Sequence, residues 1–220
     1  VYVRNYQIEE KPFASSFVDG SRPAGQLNID KNEIGFFGTP NHVFNFWIKN
    51  RWLKEQEFFE SSYFTGFVIA EFQHGGTNGA IDGRYDSVIY INKNSRVVYF
   101  KTAAGTSTAR YTIFNQEDYA DGEWIMLTVI FDPEGTSSCY VNGELKATGP
   151  IAYPLTNRIP DVKFFCNSYP SAKMYSSLIS NIYTGKYRRP DGTVIWTDDY
   201  IREVYESQIP FTNQPSISIY

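Results

Sequence analysis

The chain is short of the residues that most chemistry requires. His42 and His74 are the only imidazoles in 220 residues. No Gly-x-Ser-x-Gly elbow, His-Glu-x-x-His pair, dinucleotide fingerprint or phosphate-cradling glycine loop with a following lysine accompanies them, which argues against nucleophilic, zinc-hydrolytic and nucleotide chemistry. Two cysteines, Cys139 and Cys166, are too few for a zinc cluster or a disulfide-stapled mini-domain. Both fall in strand-like segments, where a buried thiol acts as a small hydrophobe; a bridge between them is the alternative. No charge of one sign dominates: 20 basic and 24 acidic residues are interspersed for a net charge of −4, without the basic footprint that nucleic acid requires. The longest apolar run, around Trp124 to Phe131, falls far short of the roughly 20 residues of a membrane span, so no membrane insertion is expected. No charged-then-apolar leader opens the chain, although a start at Val1 reads as a fragment or processed product. Asn-X-Ser/Thr acceptors, long-period repeats and low-complexity tracts are also missing.

What the chain has in quantity is aromatic rings, 17 Tyr and 17 Phe, which favour pleated, half-buried surfaces. Short apolar stretches recur between turn signals, the spacing of a sandwich or barrel rather than of alternating βα units. Strands are expected near 2–8, 25–29, 43–49, 67–73, 87–92, 96–102, 109–114, 124–131, 138–142, 144–148, 161–167 and 174–187. Phe44, Phe46 and Ile48 share one face by the period of two and should point to the core. Asn142-Gly143 tolerates the positive φ angles of a type I′ hairpin, and a two-residue loop sets Tyr140 opposite Leu145 and Val141 opposite Glu144. One short helix is expected at Thr197–Glu206: Thr197 can cap it, Asp198 and Asp199 suit its positive end, and Ile201, Val204 and Tyr205 form one apolar stripe. Two irregular segments, Lys49–Gly66 and Gln73–Asp86, are too long for hairpin turns. The tail from Pro210 has linker chemistry.

Four segments resemble the laminin G-like jelly roll, a branch of the concanavalin A-like lectin and glucanase superfamily. They are Phe44-Asn45-Phe46-Trp47-Ile48-Lys49; the Asp121-Gly122-Glu123-Trp124 strand running to Asp132; the hairpin Tyr140-Val141-Asn142-Gly143; and Leu178–Tyr183 with the late helix. The resemblance covers about residues 25–208 and implies an all-β, two-sheet antiparallel jelly-roll sandwich with one short helix near the C-terminus. Within it, Asp121-Gly122 makes a turn and Trp124 supplies a large buried ring. The implied organisation is an N-terminal strand or linker at 1–24, the jelly roll at 25–208, and an extension at 209–220. The stretch from Gln7 to Pro23 is similar to a junction in bacteriophage tail fibres and tail spikes, where a preceding module runs into a laminin G-like one. The receptor-binding half of clostridial neurotoxins has a similar Phe-Trp-hydrophobic-Lys strand and ranks below the phage resemblance.

Glycoside hydrolases of this superfamily use alternating carboxylates on one strand. None occurs here; the nearest cluster, Glu117, Asp118, Asp121 and Glu123, lies in a turn and reads as solvated. Sugar recognition asks for an exposed aromatic plane flanked by amide, carboxylate or guanidinium groups. Two loops offer that mixture, Trp52 with Tyr63, and His74, Asn78, Arg84 and Tyr85; Asn167 and Tyr169 form a third edge. Packing is the competing role for each ring. The resemblance implies calcium as the one cofactor, at Asn78, Asp82 and Asp86, where turn formation is the alternative use of these residues.

The expectation is therefore a non-catalytic module that binds a cell-surface glycan or polysaccharide. Its place would be a homo-oligomeric, in one version trimeric, phage tail or an extracellular surface. A structural spacer or oligomerisation domain, and a glycan-degrading enzyme of the same fold, stand as alternatives. A single site further requires that the loops at 50–66 and 74–86 converge on one end of the sandwich.

Overall fold

A computed structural model of the chain describes residues 27–30, 34, 41–53, 66–73, 87–92, 95–104, 107–151, 161–165 and 177–212. The strands are β1 Leu27–Asp30, β2 His42–Lys49, β3 Gly66–Gln73, β4 Ser87–Asn92, β5 Val97–Ala104, β6 Ser107–Asn115, β7 Trp124–Asp132, β8 Thr136–Val141, β9 Glu144–Pro150, β10 Asp161–Phe164 and β11 Ile179–Gly185. One helix, α1, follows at Asp198–Thr212. The strand expected near 2–8 lies outside the described residues.

The strands form two antiparallel sheets, a six-stranded one in the order β1-β10-β3-β4-β5-β6 and a five-stranded one in the order β11-β2-β7-β8-β9. This is the two-sheet jelly-roll sandwich that the resemblance implied. Its dry layer is built by alternation. Phe44, Phe46 and Ile48 of β2 join Ile125, Leu127, Val129 and Phe131 of β7, facing Ile69, Phe72, Ile89, Phe100 and Phe164 of the other sheet. Phe44, Phe72 and Phe131 meet at centroid distances of 5.0 to 6.1 Å, within the range in which tilted and edge-on rings attract.

The β8–β9 hairpin turns through Asn142 at φ 51° and Gly143 at φ 83°, with Tyr140 opposite Leu145 and Val141 opposite Glu144. Both register pairs match the expectation, because a two-residue turn with two left-handed residues permits little else. Asn142 also ties the hairpin to β7, since its Oδ1 accepts the Met126 N–H at 2.8 Å.

The odd-numbered residues of β2 face away from the core, and a second apolar layer covers them. Val43, Trp47, Met126, Ile130 and Tyr140 pack with Trp196 and Ile201, assisted by Trp124, Tyr187, Val204 and Tyr205. Between them Asn45 donates to Thr128 Oγ1 at 2.7 Å, pairing two polar groups that burial would otherwise penalise. Trp124 is thus only half-buried in this outer layer, and the fully buried indole is Trp47. The expected large buried ring at 124 is corrected: as the first residue of β7, opposite Lys49, it sits at the rim of the sheet.

Thr197 caps α1 as expected, its Oγ1 accepting the Tyr200 N–H at 3.2 Å. Ile201 is buried and Val204 and Tyr205 lie against the sheet. The helix nevertheless extends beyond Glu206, past Pro210, to Thr212. Its later turns have a tertiary anchor that propensity does not reveal, since the Trp47 indole N–H donates to Gln208 Oε1 at 2.6 Å and the Trp47 ring stacks on Tyr205 at 5.8 Å.

Candidate functional site

Where β2 ends, its last residues are fastened to the turn that precedes β7. Asn50 donates its backbone N–H to the Glu123 carbonyl and accepts from Gly122 N–H at 2.7 Å, which continues the β2–β7 ladder through the turn. Gly122 has φ 86°, so the Asp121-Gly122 turn forms as its residue types require. The side chain of Asn50 is buried, and its amide donates to the carbonyls of Gln116, Tyr119 and Ala120 at 2.8, 3.0 and 3.1 Å. Gln116, also buried, donates to the Arg51 carbonyl at 2.7 Å. Two amides thereby pin residues 50–53 to the segment 116–120.

Trp52 is placed by these anchors. Its backbone N–H donates to Asp121 Oδ1 at 2.9 Å, and its indole N–H turns inward to the Gln116 and Tyr119 carbonyls at 2.8 and 3.1 Å. The Arg96 guanidinium lies over the ring, 5.6 Å from its centroid. Arg96 is held in turn by the Leu53 carbonyl at 3.1 Å and by an ion pair with Glu117. Even so, Trp52 is 38 % exposed. The indole has no N–H left to offer, and what it presents outward is apolar ring.

The acidic cluster around it is made of turn clamps. Asp118 Oδ2 accepts Asn115 N–H at 2.8 Å and Glu123 Oε2 accepts Ala120 N–H at 2.8 Å. Each carboxylate has about four lone-pair sites, so one clamp leaves acceptor capacity facing water. Arg96, Asn50 and Gln116 were not foreseen as part of this arrangement; only the buried-amide pattern, invisible in residue order, would have pointed to them.

Among the predicted site residues Trp52 alone falls within the described chain; Tyr63, His74, Asn78, Asp82, Arg84, Tyr85, Asp86, Asn167 and Tyr169 lie outside it. The strand ends still show where their segments attach. Residue 66 begins β3 beside Asn92, whereas residue 73 ends it beside Ser87. At about 3.3 Å per residue the eight residues of β3 hold these ends roughly 25 Å apart. The segments 54–65 and 74–86 are therefore attached at opposite ends of the sandwich, and the attachment points do not support one site drawn from both. By contrast Phe165 N donates to the Ile69 carbonyl, and Leu178 returns to accept from Lys49 N, so the segment 166–176 attaches at the Trp52 end.

The described imidazole is unsuited to acid–base work. His42 is buried among β2 and β11 with Nε2 against Thr184 Oγ1, and burial, aided by the charge of Lys186, pulls its pKa down to about 4. Cys139 is a free, fully buried thiol whose pKa burial pushes up, matching the small-hydrophobe reading. Among the described residues no group of three or more His, Cys, Asp or Glu is placed to hold a metal ion, and no helix is long and apolar enough to cross a membrane.

With the two sheets and their order established, a family model described as the concanavalin A-like lectin/glucanases superfamily matches residues 43–181. The chain belongs to this superfamily. Solved structures agree on its sandwich. The binding domain of botulinum neurotoxin serotype D is similar at 14 % identity and a TM-score of 0.53, over 86 % of this chain and 41 % of that one. The binding domain of Paraclostridial Mosquitocidal Protein 1 has the same identity and TM-score over 83 % of this chain and 41 % of that one. A botulinum neurotoxin type C structure, concerned with its interaction with two ganglioside molecules, is similar at 16 % identity and a TM-score of 0.51, over 83 % and 39 %. This superfamily member spans about two fifths of the length of those chains. No curated protein matches it in sequence.

Proposed function

We propose that the domain is a non-catalytic carbohydrate-binding module that engages a glycan-bearing surface through the end of the sandwich carrying Trp52. The observation that supports this most is the Trp52 ring itself. Its polar edge is consumed inside the protein, its position is fixed by Arg96 and three hydrogen bonds, and over a third of it remains open next to Asp121, whose carboxylate accepts the Trp52 N–H and keeps further acceptor sites. A fixed aromatic plane with acceptors at its rim suits a pyranose, whose C–H face stacks while its hydroxyls donate. Little rotamer freedom remains to be lost on binding. That the type C neurotoxin structure concerns gangliosides adds support to a glycan rather than identifying one.

The setting we propose is a larger surface appendage, of the phage-tail kind or otherwise extracellular, in which repeated copies raise a weak site to useful avidity. Residues 1–24 and the chain beyond α1 are taken as its connecting segments.

The test is a printed glycan array probed with a multimerised, folded domain and its Trp52→Ala variant. Binding by the parent that drops by roughly tenfold or more in the variant is expected, the scale of a lost aromatic stacking contact. A folded multimer that binds none of the sugars overturns the reading, and shortened reducing ends after incubation with polysaccharide would favour an enzyme instead.

A further inference from the structure

The edge strand β11 contains an irregularity that decides which side chains leave the sandwich. Ser180 stands opposite Trp47 and Tyr183 opposite Asn45, so Asn181 and Ile182 together oppose Phe46. Asn181 takes up the extra residue with φ 49°, a left-handed conformation that asparagine tolerates better than most. The bulge inverts the alternation that follows it. Ile182 packs on the main core, while Tyr183 and Gly185 join the outward row of Asn45 and Val43. In an unbulged strand Tyr183 would point inward.

Gly185 gives the outward ring its floor. A Cβ there would fall 2.5 Å from the Tyr183 hydroxyl oxygen and 3.0 Å from its Cζ, so the ring lies along bare backbone. Buried Trp196 supports it from beside, with centroids 5.1 Å apart and planes at 38°. Tyr200 meets the same indole edge-on, also at 5.1 Å. Despite these contacts Tyr183 is 48 % and Tyr200 40 % exposed.

We infer that Tyr183 and Tyr200, set on Trp196, form a second saccharide platform on the outer side of the five-stranded sheet, taking the apolar faces of one or two pyranose rings. Area decides the class of ligand. An aromatic side chain presents roughly 150–250 Å² when fully open, so the two partly open tyrosines offer on the order of 200 Å². A stable protein partner needs about 800 Å² on each side, whereas one or two sugar rings need no more than the patch supplies. The rim is polar: Thr197 is exposed, and Asp199, in the first turn of α1 beside Tyr200, is 93 % exposed with only a 3.5 Å contact to Arg202. Its oxygens are free to accept sugar hydroxyls. The inference rests on the reading of the domain as a glycan binder, but it concerns a different face from Trp52.

An array carrying gluco-, galacto-, manno- and sialylated oligosaccharides separates the two. The parent, Tyr183→Ala, Tyr200→Ala, Tyr183→Phe, Gly185→Ala and Trp52→Ala are compared, with circular dichroism confirming that each is folded. The platform predicts at least a roughly fivefold loss for either alanine variant of tyrosine, a similar loss for Gly185→Ala, and parent-like binding by Tyr183→Phe, which keeps the ring. If Tyr183→Ala does not fold, Tyr200→Ala and Gly185→Ala carry the comparison. Parent-like binding by these variants, with loss confined to Trp52→Ala, overturns the platform and leaves the functional reading standing. Absence of binding by the folded parent overturns both.

Discussion

The backbone of Gly143 lies directly against α1: a Cβ added there would sit 3.2 Å from Arg202 Cα and 3.4 Å from Tyr205 Cβ. The hairpin tip is thus selected twice, by its φ of 83° and by the helix resting on it. Gly143→Ala should lose about 1 kcal/mol to backbone strain and a similar amount to displacement of the helix. Urea unfolding would measure the sum. A loss equal to that at Gly192, which also has φ 86° but nothing within 4 Å, would show that the helix contact contributes nothing.

Asn50 has its amide nitrogen aimed at three carbonyls. Asn50→Asp keeps the shape and replaces a donor with a charged acceptor, so the buried carboxylate meets only oxygen lone pairs at that position. A penalty of about 3 kcal/mol is expected at neutral pH. The folded state should raise the carboxyl pKa above its unfolded value, so the penalty applies in full above the folded pKa and declines as pH falls from there to the unfolded pKa, where it vanishes. Denaturation midpoints of the variant measured between pH 7 and 4, relative to the parent, should converge. A constant difference would contradict the donor role.

His42 gives the parent protein its own pH dependence. Burial depresses the folded pKa to about 4 against an ordinary 6.5, so the unfolded chain binds more protons between those values. The stability associated with the neutral ring is complete above about pH 6.5 and is lost progressively down to about pH 4, by on the order of 3 kcal/mol. His42→Gln retains a hydrogen-bonding group for Thr184 without this titration. Stability curves of the parent and variant that run parallel from pH 7 to 4 would show that His42 is not the group responsible.

Much of this architecture was legible in residue order because local rules decide it. The alternation in β2, the Asn142-Gly143 turn and the Thr197 cap each depend on neighbours within a few positions. The half-buried place of Trp124 was not legible, because type alone does not say on which face, or how near a strand end, a ring will lie. The outward direction of Tyr183 was hidden for a related reason: it is set by an extra residue at Asn181, and strict alternation assigns it the wrong face. The surroundings of Trp52 depend on Asn50 meeting residues 116 to 120, some seventy positions away, a contact created only by the pairing of β2 with β7.

The span of β3 has an evolutionary corollary. Because one rigid ladder stands between residues 66 and 73, the segments joined at its two ends need not change in concert. Grafting a foreign stretch between Gln73 and Ser87 should leave the surroundings of Trp52 intact, so each end of the sandwich can diversify on its own schedule while the shared interior stays fixed.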